Sequence, residues 1–172
     1  MKPRTTLLLI ALACAAPVIL GTLAWYFGWG AGSAGNYGEL LAPRVVEGAP
    51  LEKLRGKWVM VMFDAAACDA ACEKKLYYMR QTRRAQGKEQ DRVERLWLVT
   101  DSGQPRPALL QAIEGTHVVP AGELAKAFPG VPAEHIYLVD PLGNLMLRFP
   151  RDPDPKRIIK DLNRLLKYSR IG

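Results

Sequence analysis

The sequence predicts an α/β fold: a central sheet of mostly parallel strands with flanking helices, standing behind one N-terminal transmembrane helix. Three observations carry this expectation. Apolar runs at 57–63, 93–99 and 136–139 read as strands covered on both faces. Helical periodicity fills the intervals between them, the pattern of alternating units that makes a parallel sheet. A long uncharged apolar stretch precedes everything else.

The chain has 172 residues, enough for one domain with a substantial core once the N-terminus is set aside. Lys2 and Arg4 precede a segment from Thr5 to Gly38 without a charged side chain, and its apolar part, LLLIALACAAPVILGTLAWYFGW, exceeds the roughly 20 residues a helix needs to cross a bilayer. Trp25, Tyr26, Phe27 and Trp29 gather at the far end, where amphipathic rings favour the headgroup region, and the basic near end keeps the N-terminus cytoplasmic. A cleaved signal peptide has a shorter apolar run, about 7–15 residues, although the small residues from Gly30 to Gly35 offer a cleavage site. Cys14 reads as a small apolar residue of the spanning helix. The expected organisation is a cytoplasmic N-terminus at 1–4, a transmembrane anchor at 5–29, a tether at 30–38 and a folded domain at 39–172. The expected location is the bacterial inner membrane, crossed once, with the domain in the periplasm.

The formal charge is +7, and removing Lys2 and Arg4 leaves +5 outside the membrane, since the next charged residue is Glu39. Such an exterior suits anionic headgroups or an acidic partner protein and argues against nucleic acid in that compartment. Eight basic and four acidic side chains crowd Glu73 to Arg95, which reads as a solvated helix face or a steering surface.

Within the domain, KWVMVMF at 57–63 is the central strand and runs toward two cysteines; a helix follows from Asp69 to about Gly87. Val93–Val99 is a strand, Pro105–Ile113 a helix, His117–Val119 a short strand and Ala121–Phe128 a short helix. Ile136–Val139 joins LMLRF through Asp140-Pro-Leu-Gly-Asn144 as a hairpin placed at the sheet edge. Asp154 caps a last helix, Pro155 stands at its first position, and Ile158, Ile159, Leu162, Leu165 and Leu166 form its apolar stripe. The layout resembles a thioredoxin-like domain.

The stretch Asp64-Ala-Ala-Ala-Cys68-Asp-Ala-Ala-Cys72 raises the functional question. Cysteines four apart on a helix share a face, and a Cα separation of about 6 Å permits a disulfide, more easily if Cys68 lies in the loop before the helix. A redox pair, a Cu(I) site and a structural staple are all open on these residues. Met60, Met62 and Met146 alternate with strand apolar residues and read as core filling. There is no Ser/His/Asp set, phosphate-binding loop, dinucleotide fingerprint or paired-carboxylate arrangement.

A strand running into Phe63-x-x-x-x-Cys68, the Cys68-x-x-x-Cys72 spacing, and the late Tyr137-Leu-Val-Asp-Pro-Leu-Gly143 segment together resemble the Sco (SenC) branch of the thioredoxin superfamily. The resemblance implies a membrane-anchored, periplasm-facing protein engaged in thiol–disulfide exchange and Cu(I) handling. Its implied partner is the copper-bearing subunit of a respiratory oxidase, cytochrome c oxidase, or another exported thiol or copper protein. Two departures stand out: Asp69 and Glu73 replace the family's prolines, and Pro132 stands where its copper-binding histidine would be. Pro132 is instead similar to the cis proline that thioredoxin-like oxidoreductases hold against their cysteines. His135, and less readily His117, remain the available imidazoles. The expected site is therefore Cys68, Cys72 and Pro132 for exchange, and Cys68, Cys72 and His135 for copper, with the sulfurs meeting at an accessible rim. The rival expectation is a membrane-tethered scaffold in which Cys68 and Cys72 form only a local staple.

Overall fold

The computed structural model describes residues 3–27 and 35–171. Trp29, residues 30–34 of the expected tether, and the side chain of Trp25 lie outside the described residues. The chain forms two compact units, one ending at Asn36 and one beginning at Tyr37.

The first unit is a single helix, α1 (Pro3–Tyr26), with Pro17 inside it. Residues Pro3–Ala24 have mean hydropathy 2.5, long and apolar enough to cross a membrane. Leu9, Leu12, Val18 and Leu20 are exposed along it, a surface that lipid accommodates and water does not.

The second unit is a six-stranded sheet with helices on both faces. Its elements are β1 (Glu39–Val45), α2 (Ala49–Glu52), β2 (Trp58–Asp64), α3 (Ala70–Arg84), β3 (Val93–Val99), α4 (Pro107–Ala112), β4 (His117–Pro120), β5 (Ile136–Val139), β6 (Asn144–Arg148) and α5 (Pro155–Tyr168). The spatial order is β1-β6-β5-β2-β3-β4. Strands β2, β3 and β4 are parallel, while β5 is antiparallel to β2 and to β6.

Alternate residues of one strand enter opposite core layers, as the two-residue period of a strand requires. Met60, Met62, Trp97 and Leu138 face Leu76, Met79, Ile158 and Leu162 of α3 and α5. Val59, Val61, Phe63, Leu98 and Tyr137 face Leu51 and Phe128 on the other side. Both layers are apolar, which is why these strands read as continuous hydrophobic runs.

Two features depart from expectation. The hairpin is not at the edge, because β1 pairs antiparallel with β6 and covers it. Pro43 lies within β1, and its register shifts between Leu40 and Arg44, devices that belong to edge strands. The helix expected at 121–128 is a 3-10 turn, Gly122–Ala127, opening at a glycine with φ +50 and burying none of its residues.

The hairpin turn follows its chemistry. Asp140 Oδ1 accepts the amides of Leu142 at 2.9 Å and Asn144 at 2.7 Å, while Gly143 takes φ +90. At the opposite end of the domain sequence, Asp161 of α5 is 4% exposed and accepts the amides of Tyr37 at 2.7 Å and Gly38 at 2.8 Å. Tyr37 and Gly38 are thus bonded into the domain, two positions ahead of its expected start.

The Tyr137 hydroxyl donates to the Pro129 carbonyl at 2.6 Å, and burial raises its pKa. A raised phenol keeps its proton in the folded chain after the unfolded chain has lost it, so its contribution is whole below about pH 10 and lost as pH climbs above that. Denaturation midpoints measured from pH 9 upward should fall more steeply for the wild type than for Tyr137→Phe; parallel curves would show that the phenol does not contribute.

Candidate functional site

Strand β2 ends at Asp64, and the turn that follows is closed by the Cys68 amide donating to the Ala65 carbonyl at 3.1 Å. Asp69 then caps α3, its Oδ1 accepting the Cys72 amide at 2.9 Å. Cys68 therefore lies in the loop and Cys72 in the first helical turn. Their sulfurs are bonded, with Cα atoms 5.2 Å apart. Cys68 has φ +43, the only non-glycine positive φ among the described residues. A β-carbon in that region costs of order 1–3 kcal/mol, and such positions concentrate at functional sites.

The pair is more deeply covered than the expected accessible rim. Cys68 is 3% exposed and Cys72 is 0% exposed. The 100–106 loop between β3 and α4 is bonded against the turn that carries Cys68. Asp101 Oδ1 accepts the amides of Ala66 at 3.0 Å and Gly103 at 3.1 Å, tying the loop to the turn before the cysteines. A β-carbon on Gly103 would lie 2.9 Å from the Ala66 β-carbon, so a larger residue would push the two apart. Arg106 fastens the loop further by donating to the Cys68 carbonyl at 3.4 Å and pairing with Glu73. Both partners of that ion pair are about half exposed, and exposed pairs contribute only about 0–1 kcal/mol. The latch is weak.

Beside the first turns of α3 runs a cleft of about 450 Å³, lined by Asp64, Lys75, Tyr78, Glu134 and Asp152 among others. Lys75 is buried and bonds Asp64 at 2.8 Å and the Ala133 carbonyl. This bridge ties the end of β2, the helix of the cysteines and the 132–134 segment together. Neither Asp64 nor Lys75 is among the expected site residues; a carboxylate at a strand end and a lysine in a helical run give no sign of pairing until the chain is folded.

The histidine and proline expectations need correction. No described peptide bond is cis, so Val131–Pro132 is trans. Pro132 opens a 3-10 turn, Pro132–Glu134, where a proline at the first position is at ease. His135 does not join the cysteines. Its Nδ1 lies 2.7 Å from the Phe149 carbonyl and its ring packs against Tyr137, which faces the core layer opposite the disulfide. The two-residue strand period from Tyr137 back to His135 explains this side. His117 opens β4 and pairs with Glu94 at 3.3 Å. No group of three His, Cys, Asp or Glu able to hold a metal occurs among the described residues. The donors present fit a two-sulfur site after reduction of the disulfide, not a Cys-Cys-His site.

Residues 58–169 match the family described as the transmembrane-like, thioredoxin-like, C-terminal domain. The chain belongs to this family. Among solved structures it is similar to apo Sco1 from Thermus thermophilus, with 21% identity over 76% of this chain and 96% of that one and a TM-score of 0.58. Yeast Sco1 with copper bound is 16% identical over 78% of this chain and 94% of that one, TM-score 0.58. A SCO1/SenC family lipoprotein from Bacillus anthracis is 16% identical over 73% and 94%, TM-score 0.52. At these identities the likeness establishes a thioredoxin-like fold. No curated protein matches the sequence. In this transmembrane-like, thioredoxin-like family member, the bonded cysteines follow an interior strand and open a helix, the arrangement expected from the sequence.

Proposed function

We propose that the domain exchanges disulfides through Cys68 and Cys72, anchored by α1 in the bacterial inner membrane and facing the periplasm. The carrying observation is the closed Cys68–Cys72 bond at the start of α3, with Cys68 held at φ +43. The client is an exported thiol or copper protein, with the copper-bearing subunit of a respiratory oxidase as the specific reading. The support for that client is the Sco-like fold and the basic exterior of the domain. An exchanging pair has a reduction potential well above the roughly −300 mV below which structural disulfides lie. Equilibration with glutathione or thioredoxin couples measures it directly.

In this proposal the client reaches the pair past the 100–106 loop, which must move aside. Arg106→Ala removes the latch to Glu73 and the Cys68 carbonyl, so reduction by dithiothreitol should become a few-fold faster. An unchanged rate would mean that the loop does not control approach.

Cu(I) handling is a narrower part of the proposal, supported by the two sulfur donors and by the shared fold of copper-bound yeast Sco1. The reduced chain should take up one Cu(I), lose that uptake in Cys68→Ser or Cys72→Ser, and keep it in His135→Ala. Loss of uptake in His135→Ala would return the imidazole to the site.

Burial favours one rival, a tethered scaffold in which the bond is only a staple, since the cysteines are 3% and 0% exposed. A potential below about −300 mV together with no mixed disulfide in either single-cysteine variant would establish that rival.

A further inference from the structure

A second site lies at the other end of α3. A cavity of about 500 Å³ is lined by Arg80, Arg83 and Arg84 from the last turns of α3, Glu94 and Arg95 from β3, the end of α4 at residues 111–112, and residues 114–117 leading into β4. From Cys72 to Arg84 the helix rises about 18 Å, so this cavity is separate from the disulfide.

Its inner wall is Arg95, only 4% exposed. One of its terminal nitrogens donates to the Glu114 carbonyl at 2.7 Å, but Nε and the other terminal nitrogen are buried without a hydrogen-bond partner. Among the described residues no carboxylate forms an ion pair with it. A buried guanidinium left this way is costly unless a countercharge is supplied. Burial, then the nearby Arg83 and Arg80, depress its pKa, with Arg84 adding to them and Glu94 opposing.

The carboxylates around the cavity are already engaged or face water. Glu94 pairs with His117 at 3.3 Å, Asp91 pairs with Arg83 at 3.3 Å, and Glu114 is exposed. Arg80 also donates to the Ala112 carbonyl at 2.7 Å and Arg83 to the Val93 carbonyl at 2.7 Å, which fixes both side chains across the gap. Gly115, at φ +77, brings its backbone so near that a β-carbon would lie 3.1 Å from the bonded terminal nitrogen of Arg95. Lining the cavity are four arginines against two glutamates. Position at the C-terminal end of α3 accounts for Arg83 and Arg84 by the helix dipole, but it does not account for Arg95, which is on a strand.

We propose that this cavity binds a phosphate group carried on a larger molecule. The rigid forks of several guanidiniums match a multiply charged tetrahedral anion better than a single carboxylate. A volume of about 500 Å³ exceeds what a bare phosphate fills and leaves room for the group esterified to it. A soluble phosphate ester and a phospholipid headgroup present the same chemistry.

The test uses the full chain in neutral maltoside micelles, titrated with inorganic phosphate and with glycerol 3-phosphate at constant ionic strength set by chloride. The expected result is saturable binding that raises the unfolding temperature. Arg84→Glu, on an exposed rim side chain, should weaken it about tenfold or more, while Lys88→Glu, an exposed cation outside the cavity, should leave it unchanged. Arg95→Met adds loss of the same binding if it folds; Arg84→Glu decides the matter if it does not. A parallel arm places the chain in bilayers of phosphatidylcholine with and without phosphatidylglycerol. Binding of the soluble probes with this variant pattern supports a soluble ester, and protection only by phosphatidylglycerol with the same pattern supports a headgroup. No saturable response to any probe overturns the site, as does Arg84→Glu binding like wild type or chloride matching the phosphate effect.

Discussion

Cys72→Ala should accumulate a mixed disulfide between Cys68 and a client thiol, whereas Cys68→Ala should accumulate none and lose exchange altogether. The asymmetry follows from where each sulfur lies. Cys68 precedes α3 in the turn, beside a loop latched to its carbonyl by a weak exposed pair, while Cys72 is 0% exposed in the first helical turn. A client thiolate that displaces the loop reaches the Cys68 sulfur first. Its attack forms a Cys68–client bond and breaks the Cys68–Cys72 bond, and Cys72 leaves as the thiolate. The departing charge develops at a helix N-terminus, where amide dipoles stabilise it. In the opposite direction the Cys68 thiolate attacks a client disulfide, and Cys72 resolves the intermediate by attacking the Cys68 sulfur. Without Cys72 the resolving step is gone and the intermediate persists. Non-reducing electrophoresis of the two variants, expressed in an oxidising compartment, reads the result. Equal trapping by both variants would refute the assigned order of attack.

Asp161→Ala should cost about 3 kcal/mol of stability and lower the Tm by roughly 10 °C. The carboxylate is 4% exposed and accepts two backbone amides, those of Tyr37 and Gly38. Hydrogen bonds to charged groups contribute about 1.5–3 kcal/mol each, and removing the acceptor leaves two donors without it. The same strip is held further by the Tyr37 hydroxyl, which accepts the Asp154 amide at 2.8 Å, and by Arg157 lying 4.0 Å over the Tyr37 ring. Those contacts survive the substitution, which keeps the loss at the low end of the possible range. Asp161→Asn retains one acceptor oxygen and should lose about half as much. Thermal unfolding followed by near-ultraviolet dichroism separates the three chains, and values for both variants within about 0.5 kcal/mol of wild type would remove Asp161 from the account of how the domain is fastened.

Strands β2, β3 and β5 were legible because both of their faces are buried, so each residue is apolar for its own local reason. Helix α5 was legible from its stripe and from the Asp154-Pro155 start; Ile158, Leu162 and Leu166 of that stripe are buried. Strand β1 was not legible, since its side chains are mostly exposed and it contains Pro43. What makes it a strand is the ladder to β6, a partner about a hundred positions away. Arg95 was hidden for a related reason: in a run of mixed charge it looks solvated, and only the packing of α3 and the 111–117 segment around β3 takes it out of water.

The amino-acid order alone determined the apolar N-terminal helix, the α/β succession, and the closeness of Cys68 to Cys72, because each depends on neighbours within a turn or a strand. Tertiary structure alone decided that the 100–106 loop is bonded to the turn of the cysteines, that His135 faces the other core layer, that Asp161 holds the start of the domain, and that four arginines enclose one cavity. Those outcomes depend on which distant segments meet, and on the burial that turns an ordinary charged side chain into one that requires a partner.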